Sequence, residues 1–187
     1  MINLGYLSER LKYGTSSKLE YLDQDKDVPF LRIADLNRLK FEPTNIKYIS
    51  QATAYIEKQS SVQTNDVLIS RSGTLGLSIV VPEELDGAIF GSYFIRTRPN
   101  QKELNPIYLS LYLNSLAGKL QFERSNTGAI QTNLTIPVIE SIRVIVPPME
   151  IQEKFAQLVL DSFHVENESK FLLEQAKHQV EQIILGG

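Results

Sequence analysis

The sequence of 187 residues contains no cysteine. This absence excludes disulfide bonds, thiolate metal ligands and a cysteine nucleophile. Histidine is scarce, and both copies, His164 and His178, lie in the C-terminal segment. The first 148 residues therefore offer no imidazole for general base catalysis or for a histidine metal cluster. We interpret both histidines as solvated helix positions, and we assign no catalytic residue and no metal ligand.

Long apolar runs are also missing. No stretch approaches about 18 apolar residues, so the sequence predicts no transmembrane helix, and MINLGYLSERLKYG lacks the apolar core of a signal peptide. Glycine-rich phosphate loops are absent. Acidic groups such as Glu83 with Glu84, or Asp23, Asp25 and Asp27, lie in turn-rich stretches typical of solvated loops. We expect a cytoplasmic binding module with no cofactor of its own.

Neither sign of charge dominates, since the formal net charge is −3. Residues 1–148 carry 16 basic and 15 acidic side chains, whereas residues 149–187 carry 3 and 7. The acidity is therefore concentrated in the C-terminal segment. A body with balanced charge can still display a basic face, so the net charge does not exclude nucleic acid.

The C-terminal segment predicts one long helix. Neither proline nor glycine interrupts the chain between Pro148 and Gly186, which predicts about 37 helical residues, or roughly 55 Å. Steps of four and three residues from Ile151 trace a heptad-like seam that is apolar at both ends. A second stripe (Phe155, Val159, Phe163) favours a partner helix over a terminal helix lying on its own domain. The predicted dimerisation residues are Ile151, Phe155, Leu158, Val165, Leu172, Ala176 and Ile183.

The body predicts short strands with interspersed helices. β-branched and aromatic runs bounded by turn residues are VPFLRIADL, DVLIS, LSIVVP, GSYFIRTRP and SIRVIVPP. SRSGTLG predicts a hairpin in which Gly73 and Gly76 can take positive φ. Asn105 and Pro106 predict the cap and first position of a helix. Because regular βαβ alternation is missing, we expect an irregular α+β domain over residues 1–147, followed by a coiled-coil helix over residues 148–187.

The order of several segments is distinctive. YGTSSK precedes VPFLRIADL, and NDVLISRSGTLGLSIVV, NPIYLSLYLNS, TGAIQTNL and IRVIVPPMEIQEKFAQL follow. This set resembles the target recognition domain and conserved helix of type I restriction–modification specificity subunits, from about Leu4 onward. Family members usually carry Glu-Gln after the double proline, where this chain has Ile151 and Gln152.

The resemblance implies sequence-specific recognition of double-stranded DNA by a subunit without catalytic activity. Methyltransferase subunits, and possibly restriction subunits, would be its partners, and S-adenosylmethionine would bind to the methyltransferase. Full-length family members have two recognition domains and two helices, whereas this chain has one of each. The resemblance therefore implies a half-subunit that forms a homodimer, with antiparallel helices as the spacer between two parts of a bipartite site.

Four loop segments supply groups that can contact DNA: residues 14–18, 70–74, 91–94 and 124–133. Arginine suits guanine, glutamine and asparagine suit adenine, and serine, threonine and lysine suit phosphates. The candidate DNA-binding residues are Thr15, Ser16, Lys18, Arg71, Ser72, Thr74, Ser92, Tyr93, Arg124, Thr127, Gln131 and Asn133.

Two of these loops allow finer expectations. Ile130 and Leu134 are expected to pin the segment 125–134 to the core. The TGAIQ-NL pattern resembles a signature that recurs in the family while target sequences vary, which favours loop architecture or backbone contact for Gln131 and Asn133. For Arg71 and Arg124, a phosphate contact, a base contact and a surface salt bridge remain open.

Two other functions fit the same sequence. The chain could be a recognition domain that acts with a fused restriction–methyltransferase enzyme. It could also be a coiled-coil assembly protein whose body binds protein, which the acidic tail favours. Binding to random-sequence DNA at low salt would distinguish a DNA-binding protein from the assembly protein, because specific DNA binders also show salt-sensitive non-specific affinity.

Overall fold

The computed structural model describes residues 1–9, 11–22, 27–37, 40–41, 46–125 and 133–185. Its strands are β1 (Ile2–Asn3), β2 (Lys12–Tyr13), β3 (Val28–Leu31), β4 (Leu36–Asn37), β5 (Lys40–Phe41), β6 (Lys47–Ile49), β7 (Val67–Ser70), β8 (Ser78–Val80), β9 (Ile89–Phe90), β10 (Phe94–Thr97) and β11 (Arg143–Val144). Its α-helices are α1 (Gln51–Ile56), α2 (Pro106–Asn114), α3 (Leu116–Arg124), α4 (Ile136–Ser141) and α5 (Met149–Leu185). Short 3-10 helices span Leu4–Tyr6, Ile33–Asp35, Lys58–Ser60 and Glu83–Leu85. None of the helices described is long and apolar enough to cross a membrane.

The central sheet has the strand order β2-β10-β7-β8, and each neighbouring pair is antiparallel. Successive side chains of β7 point to opposite faces. Val67 and Ile69 join the core formed with α2, whereas Leu68 joins a second core that contains Phe90 and Phe94. Both faces of β7 are therefore buried, which accounts for the unbroken apolar run VLI within DVLIS.

A second sheet, β6-β3-β9, is mixed, because β3 pairs antiparallel with β6 and parallel with β9. The expectation of one extended run through VPFLRIADL was wrong at Ile33–Asp35, a 3-10 helix that separates β3 from β4. Asp35 accepts hydrogen bonds from the backbone nitrogen of Arg32 and from its guanidinium, both at 2.8 Å, and this ion pair closes a 3-10 helix. The last expected run is likewise reduced to β11, which pairs with β1.

A buried carboxylate fixes the turn before β7. Asp66 is fully buried and accepts hydrogen bonds from the guanidinium of Arg98 at 2.6 and 2.8 Å and from the backbone nitrogen of Gln63 at 2.7 Å. The hydrogen bond with Asp66 raises the pKa of Arg98. Arg96 lies beside the same carboxylate and donates to the carbonyl of Ser61, and burial lowers its pKa. These bonds join the turn to β10.

Helix α2 begins as predicted. The side chain of Asn105 accepts hydrogen bonds from the backbone nitrogens of Ile107 and Tyr108 at 2.9 and 3.1 Å, and Pro106 is the first helical residue. These bonds satisfy donors that a helix start leaves unpaired. The other end of α2 is joined to the central sheet, because Asn114 donates to the carbonyl of Ser78 in β8 at 2.7 Å.

Helix α5 confirms the predicted long helix, with 37 residues. Its start is fixed by Gln152, which is 1% exposed. The side-chain oxygen of Gln152 accepts from the backbone nitrogen of Asn105 at 2.8 Å, and its nitrogen donates to the carbonyls of Glu103 and Pro147 at 3.0 and 2.8 Å. Tyr108 adds a hydrogen bond to the carbonyl of Ile145 at 2.8 Å, and burial raises the pKa of Tyr108. The base of α5 is thus locked onto α2.

Two residues of the second apolar stripe, Val159 and Phe163, pack on the body, so the assignment of these two to a partner helix was wrong. Val159 and Phe163 are half-buried. The ammonium of Lys40 lies 5.5 Å from the ring centroid of Phe163 and 2.8 Å from a carboxylate oxygen of Glu166. Hydrogen bonds from Lys40 and then Lys170 lower the pKa of Glu166. Beyond Glu166, residues 167–185 are all exposed.

Replacing Gln152 with alanine should destabilise the protein. The change leaves a buried backbone nitrogen and two carbonyls without their partner, and each unsatisfied group costs about 1–3 kcal/mol. We expect the free energy of unfolding to fall by about 3 kcal/mol, measured by urea denaturation with far-UV circular dichroism. Gln157, which is exposed and contacts Asp161 on the same helix, is the matched control. Q157A should change stability by less than about 0.5 kcal/mol. Equal effects from the two substitutions would contradict the anchoring role.

Candidate functional site

Two loops meet at the edge of the central sheet. The backbone nitrogen of Thr15 donates to the carbonyl of Phe90 at 3.0 Å, and the nitrogen of Ser92 donates to the carbonyl of Thr15 at 2.8 Å. A Cβ atom at Gly14 would lie 2.2 Å from the carbonyl oxygen of Gly91, so a side chain at this position would prevent the approach. The loops 14–18 and 91–93 are therefore held together by backbone contacts.

Arg71 ties two further segments to this pair. Its backbone nitrogen donates to the carbonyl of Tyr93 at 2.9 Å, and its backbone carbonyl accepts from the nitrogen of Leu134 at 2.8 Å. Its Nε donates to the carbonyl of Leu134 at 3.3 Å. Leu134 itself is buried in the core, as expected of a residue that pins its loop. The hairpin after β7 and the segment before α4 thus meet at Arg71.

The guanidinium of Arg71 is also held by an aromatic ring. Its central carbon lies 4.8 Å from the ring centroid of Tyr13, a distance at which the cation and the ring attract each other. The hydroxyl of Tyr13 accepts from the backbone nitrogen of Ile136 at 3.1 Å, which fixes the ring. Among the residues described, none pairs with the two terminal nitrogens of Arg71. They form a preorganised donor edge.

The hairpin between β7 and β8 confirms the prediction from SRSGTLG. Gly73 and Gly76 have φ of 74° and 75°, and the backbone nitrogen of Gly76 donates to the carbonyl of Ser70 at 2.9 Å. The backbone of Gly76 also lies against the buried ring of Phe122 in α3. The hairpin therefore rests on α3, two residues before Arg124 at the end of that helix.

The remaining predicted site residues divide by exposure. The exposed ones are Ser16, Lys18, Thr74, Tyr93, Arg124 and Asn133, and Ser92 is half-buried. Thr15 is 9% exposed and its hydroxyl accepts from the backbone nitrogen of Ser17 at 3.1 Å, so it shapes its loop and does not reach the surface. The hydroxyl of Ser72 is buried without a partner in the described part of the chain. Thr127, Ile130 and Gln131 lie outside the described residues.

Two features of this region were missed from the sequence. Tyr13 supports Arg71 across 58 positions of the chain, and nothing local in KYG signals that contact. Helix α1 lies beside the loop 14–18, because the hydroxyl of Ser17 donates to the carboxylate of Glu57 at 2.6 Å and the ammonium of Lys12 donates to the side chain of Gln59 at 3.1 Å. Ser50 before QATAYI was a detectable cap signal, and its hydroxyl accepts from the nitrogen of Thr53 at 3.2 Å.

The described residues contain no group of three or more histidine, cysteine, aspartate or glutamate side chains able to hold a metal ion. What the site offers is a set of polar and cationic donors on loops of fixed backbone. Such a surface suits the recognition of a large polar ligand.

Residues 3–177 match the model of the type I restriction modification DNA specificity domain. The chain belongs to this family. The specificity subunit of the type I restriction enzyme EcoBI from Escherichia coli is 24% identical over 142 residues, which are 75% of this chain and 30% of that protein.

Solved structures show the same fold. One, described as showing complex assembly and conformational transition of the type I R-M system, has a chain with a TM-score of 0.66 and 20% identity over 99% of this chain and 44% of its own. The HsdS subunit from Thermoanaerobacter tengcongensis has a TM-score of 0.59 and 19% identity over 94% of this chain and 38% of its own. The chain spans less than half the length of each of these relatives.

The two hairpin glycines provide a matched test of how the site is built. In G73A the new Cβ meets nothing within 4 Å, so only the positive φ is penalised, by about 1 kcal/mol. In G76A the Cβ would lie 2.2 Å from the ring of Phe122, which cannot move freely because it is 2% exposed. We expect G76A to reduce the free energy of unfolding by about 3 kcal/mol or more. Equal losses in urea denaturation would show that the hairpin does not depend on α3.

Proposed function

We propose that this chain recognises a specific sequence in double-stranded DNA and directs the partner subunits of a type I restriction–modification assembly to it. The observation that supports this most is the convergence of four polar loop segments on Arg71, in a chain of the DNA specificity domain family. Loops held by backbone bonds present donors at fixed positions, which recognition of a rigid duplex requires.

Several groups of this surface suit contacts with phosphates. Lys18, Ser16 and Thr74 are exposed on loop tips, where a cation and two hydroxyls suit phosphate oxygens. We assign Arg71 to phosphate as well, because its Nε bond and the Tyr13 ring leave the terminal nitrogens as a paired donor edge.

Four other residues complete the proposed DNA-contacting surface, and all four flank the loops already described. Asn133 adjoins the Arg71–Leu134 bonds, Ser92 and Tyr93 adjoin Thr15, and Arg124 ends α3 beside the hairpin. The side chain of Thr15 positions its loop and is not assigned a contact with DNA.

The chemistry belongs to the partners in this proposal. Methyltransferase subunits bind S-adenosylmethionine and methylate DNA, and restriction subunits cut it. The specificity chain determines the DNA sequence at which they act. The purified chain alone should therefore leave DNA unmodified. Since the substrate is intracellular DNA, we place the assembly in the cytoplasm.

Binding to a random-sequence duplex tests the DNA-binding part of the proposal. We expect an affinity that falls with salt, because phosphate contacts release counterions. Lys18→Ala and Arg71→Ala should each reduce the slope of log K against log salt concentration by about one, measured by fluorescence anisotropy. The matched control is Lys102→Ala, since Lys102 is exposed in the turn that Gln152 binds, away from the converging loops. A wild-type chain that shows no salt-dependent binding would refute the proposal.

We further propose that a second copy of the chain covers the exposed part of α5. Residues 167–185 are all exposed, and among them Leu172, Val180 and Ile183 are 53, 55 and 79% exposed. Apolar stripes of this length mark interfaces. Leu158 and Val165 extend the same face toward the body and are 65 and 61% exposed.

Antiparallel pairing fits the lengths. A pair centred near residue 168 places residues 167–185 of one copy beside residues 151–169 of the other, so the free half of each helix covers the body-bound half of its partner. Ile183 would then lie near Ile151 and Phe155, which are 37 and 44% exposed. A two-fold dimer presents identical surfaces in opposite orientations, so its site would be an inverted repeat with a spacer.

Replacing Leu172 with glutamate should convert the dimer into monomers, because the charge would be buried against an apolar partner face. Sedimentation at tens of micromolar, a concentration at which weak specific interfaces form, should give a dimer for the wild type and a monomer for L172E. His178→Glu adds a negative charge on the side of the exposed helix end turned away from Leu172, Ala176 and Ile183, and should remain dimeric. A monomeric wild type would contradict the dimer and leave the DNA proposal standing.

A further inference from the structure

We infer that the outer face of α1 reads bases, while the loops around Arg71 hold the duplex in place. The outer face of α1 consists of Gln51, Ala52, Tyr55 and Ile56, which are all exposed. Their spacing of one, four and five positions places them on one side of a helix. This inference rests on the proposed function and assigns sequence discrimination to residues outside the converging loops.

The orientation of α1 is fixed from its inner side. Ala54 is 8% exposed and packs in a core cluster with Phe30, Ile49 and Ile89. Ser50 caps the first turn through the nitrogen of Thr53. The outer face is therefore presented rigidly, as base reading requires.

The exposure of this face has no explanation within the body. Tyr55 and Ile56 are 73 and 75% exposed, although both side chains are largely apolar. Adjacent exposed apolar groups indicate a surface that becomes buried against a ligand. The ammonium of Lys58 lies 4.9 Å from the ring centroid of Tyr55, which adds a cation at the edge of the same face.

The face is continuous with the proposed phosphate-binding loops. Glu57, the residue after α1, accepts a hydrogen bond from the hydroxyl of Ser17 at 2.6 Å. Ser17 lies between Ser16 and Lys18. The side-chain oxygen of Gln59 accepts a hydrogen bond from the ammonium of Lys12 at 3.1 Å. These bonds place α1 beside the loop 14–18. A duplex whose phosphates contact that loop would have a neighbouring groove within reach of α1.

The chemistry of the face suits base edges. A major groove admits an α-helix, glutamine pairs with adenine through two hydrogen bonds, and apolar side chains contact the thymine methyl group. Gln51 can form the paired hydrogen bonds with adenine, and Ala52, Tyr55 and Ile56 can contact thymine methyl groups. Cations accompany the face: Lys58 lies over the ring of Tyr55, Lys12 is bonded to Gln59, and the carboxylate of Glu57 is turned to Ser17.

Selection from a random-sequence DNA pool tests this inference directly. The full wild-type chain should enrich one motif. Gln51→Ala, and Tyr55→Ser combined with Ile56→Ser, should each relax the preference at one or two adjacent positions by about ten-fold and keep the rest of the motif. Affinity for unselected DNA should change by less than about two-fold. Because the replaced side chains are exposed, far-UV circular dichroism should match the wild type.

Tyr6→Ser is the matched control. Tyr6 is 83% exposed, and it lies in a 3-10 helix that packs on α4. This variant should enrich the wild-type motif unchanged. An unchanged motif from both α1 variants would overturn the inference, as would an equal loss of affinity for every sequence. Failure of the wild type to bind any DNA would instead refute the proposed function, and base reading by α1 with it.

Discussion

The side-chain amide of Gln152 fixes where α5 leaves the body, and the geometry of the whole molecule follows from that point. Its oxygen accepts a hydrogen bond from the backbone nitrogen of Asn105, the residue that caps α2. The starts of α2 and α5 are therefore bonded to each other. The far end of α2 is bonded to Ser78 in β8, and the β7–β8 hairpin carries Arg71. A continuous set of hydrogen bonds thus links the base of the long helix to the loops of the site. A helix that sets the distance between two DNA-contacting surfaces needs such a rigid link.

The site itself depends on backbone contacts more than on side chains. Gly14 and Gly91 approach each other at a distance that excludes a Cβ atom, and the loops around them exchange hydrogen bonds between main-chain groups. Because those bonds do not depend on side-chain identity, exposed residues on neighbouring elements can change without moving the loops. Helix α1 is such an element, since its inner face packs on the core through Ala54 and its outer face is exposed. A fold of this kind permits new specificity at small cost in stability.

The features that the sequence predicted correctly have local causes. A proline and an asparagine define the start of α2, two glycines define the hairpin, and 37 residues without a helix breaker define α5. The features it missed depend on contacts between distant segments. Phe163 lies against the body under the ammonium of Lys40, and the strand after Val28 ends where Asp35 turns back onto Arg32. The exposed face of α1 could be recognised only once Ala54 was seen to be buried.

The acidic charge of α5 would affect how DNA lies beside the protein. Residues 149–187 carry 7 acidic and 3 basic side chains, and residues 167–185 are all exposed. An acidic helix repels phosphates within the screening length of about 10 Å, so DNA beside it would be held only at the loop surfaces. In a two-fold dimer the acidic helices would lie between the two bodies. The base pairs that pass them would be held weakly and would not be read, because the net charge of the helices repels the phosphates. A spacer of unspecified sequence is then a direct consequence of an acidic helix pair placed between two DNA-contacting surfaces.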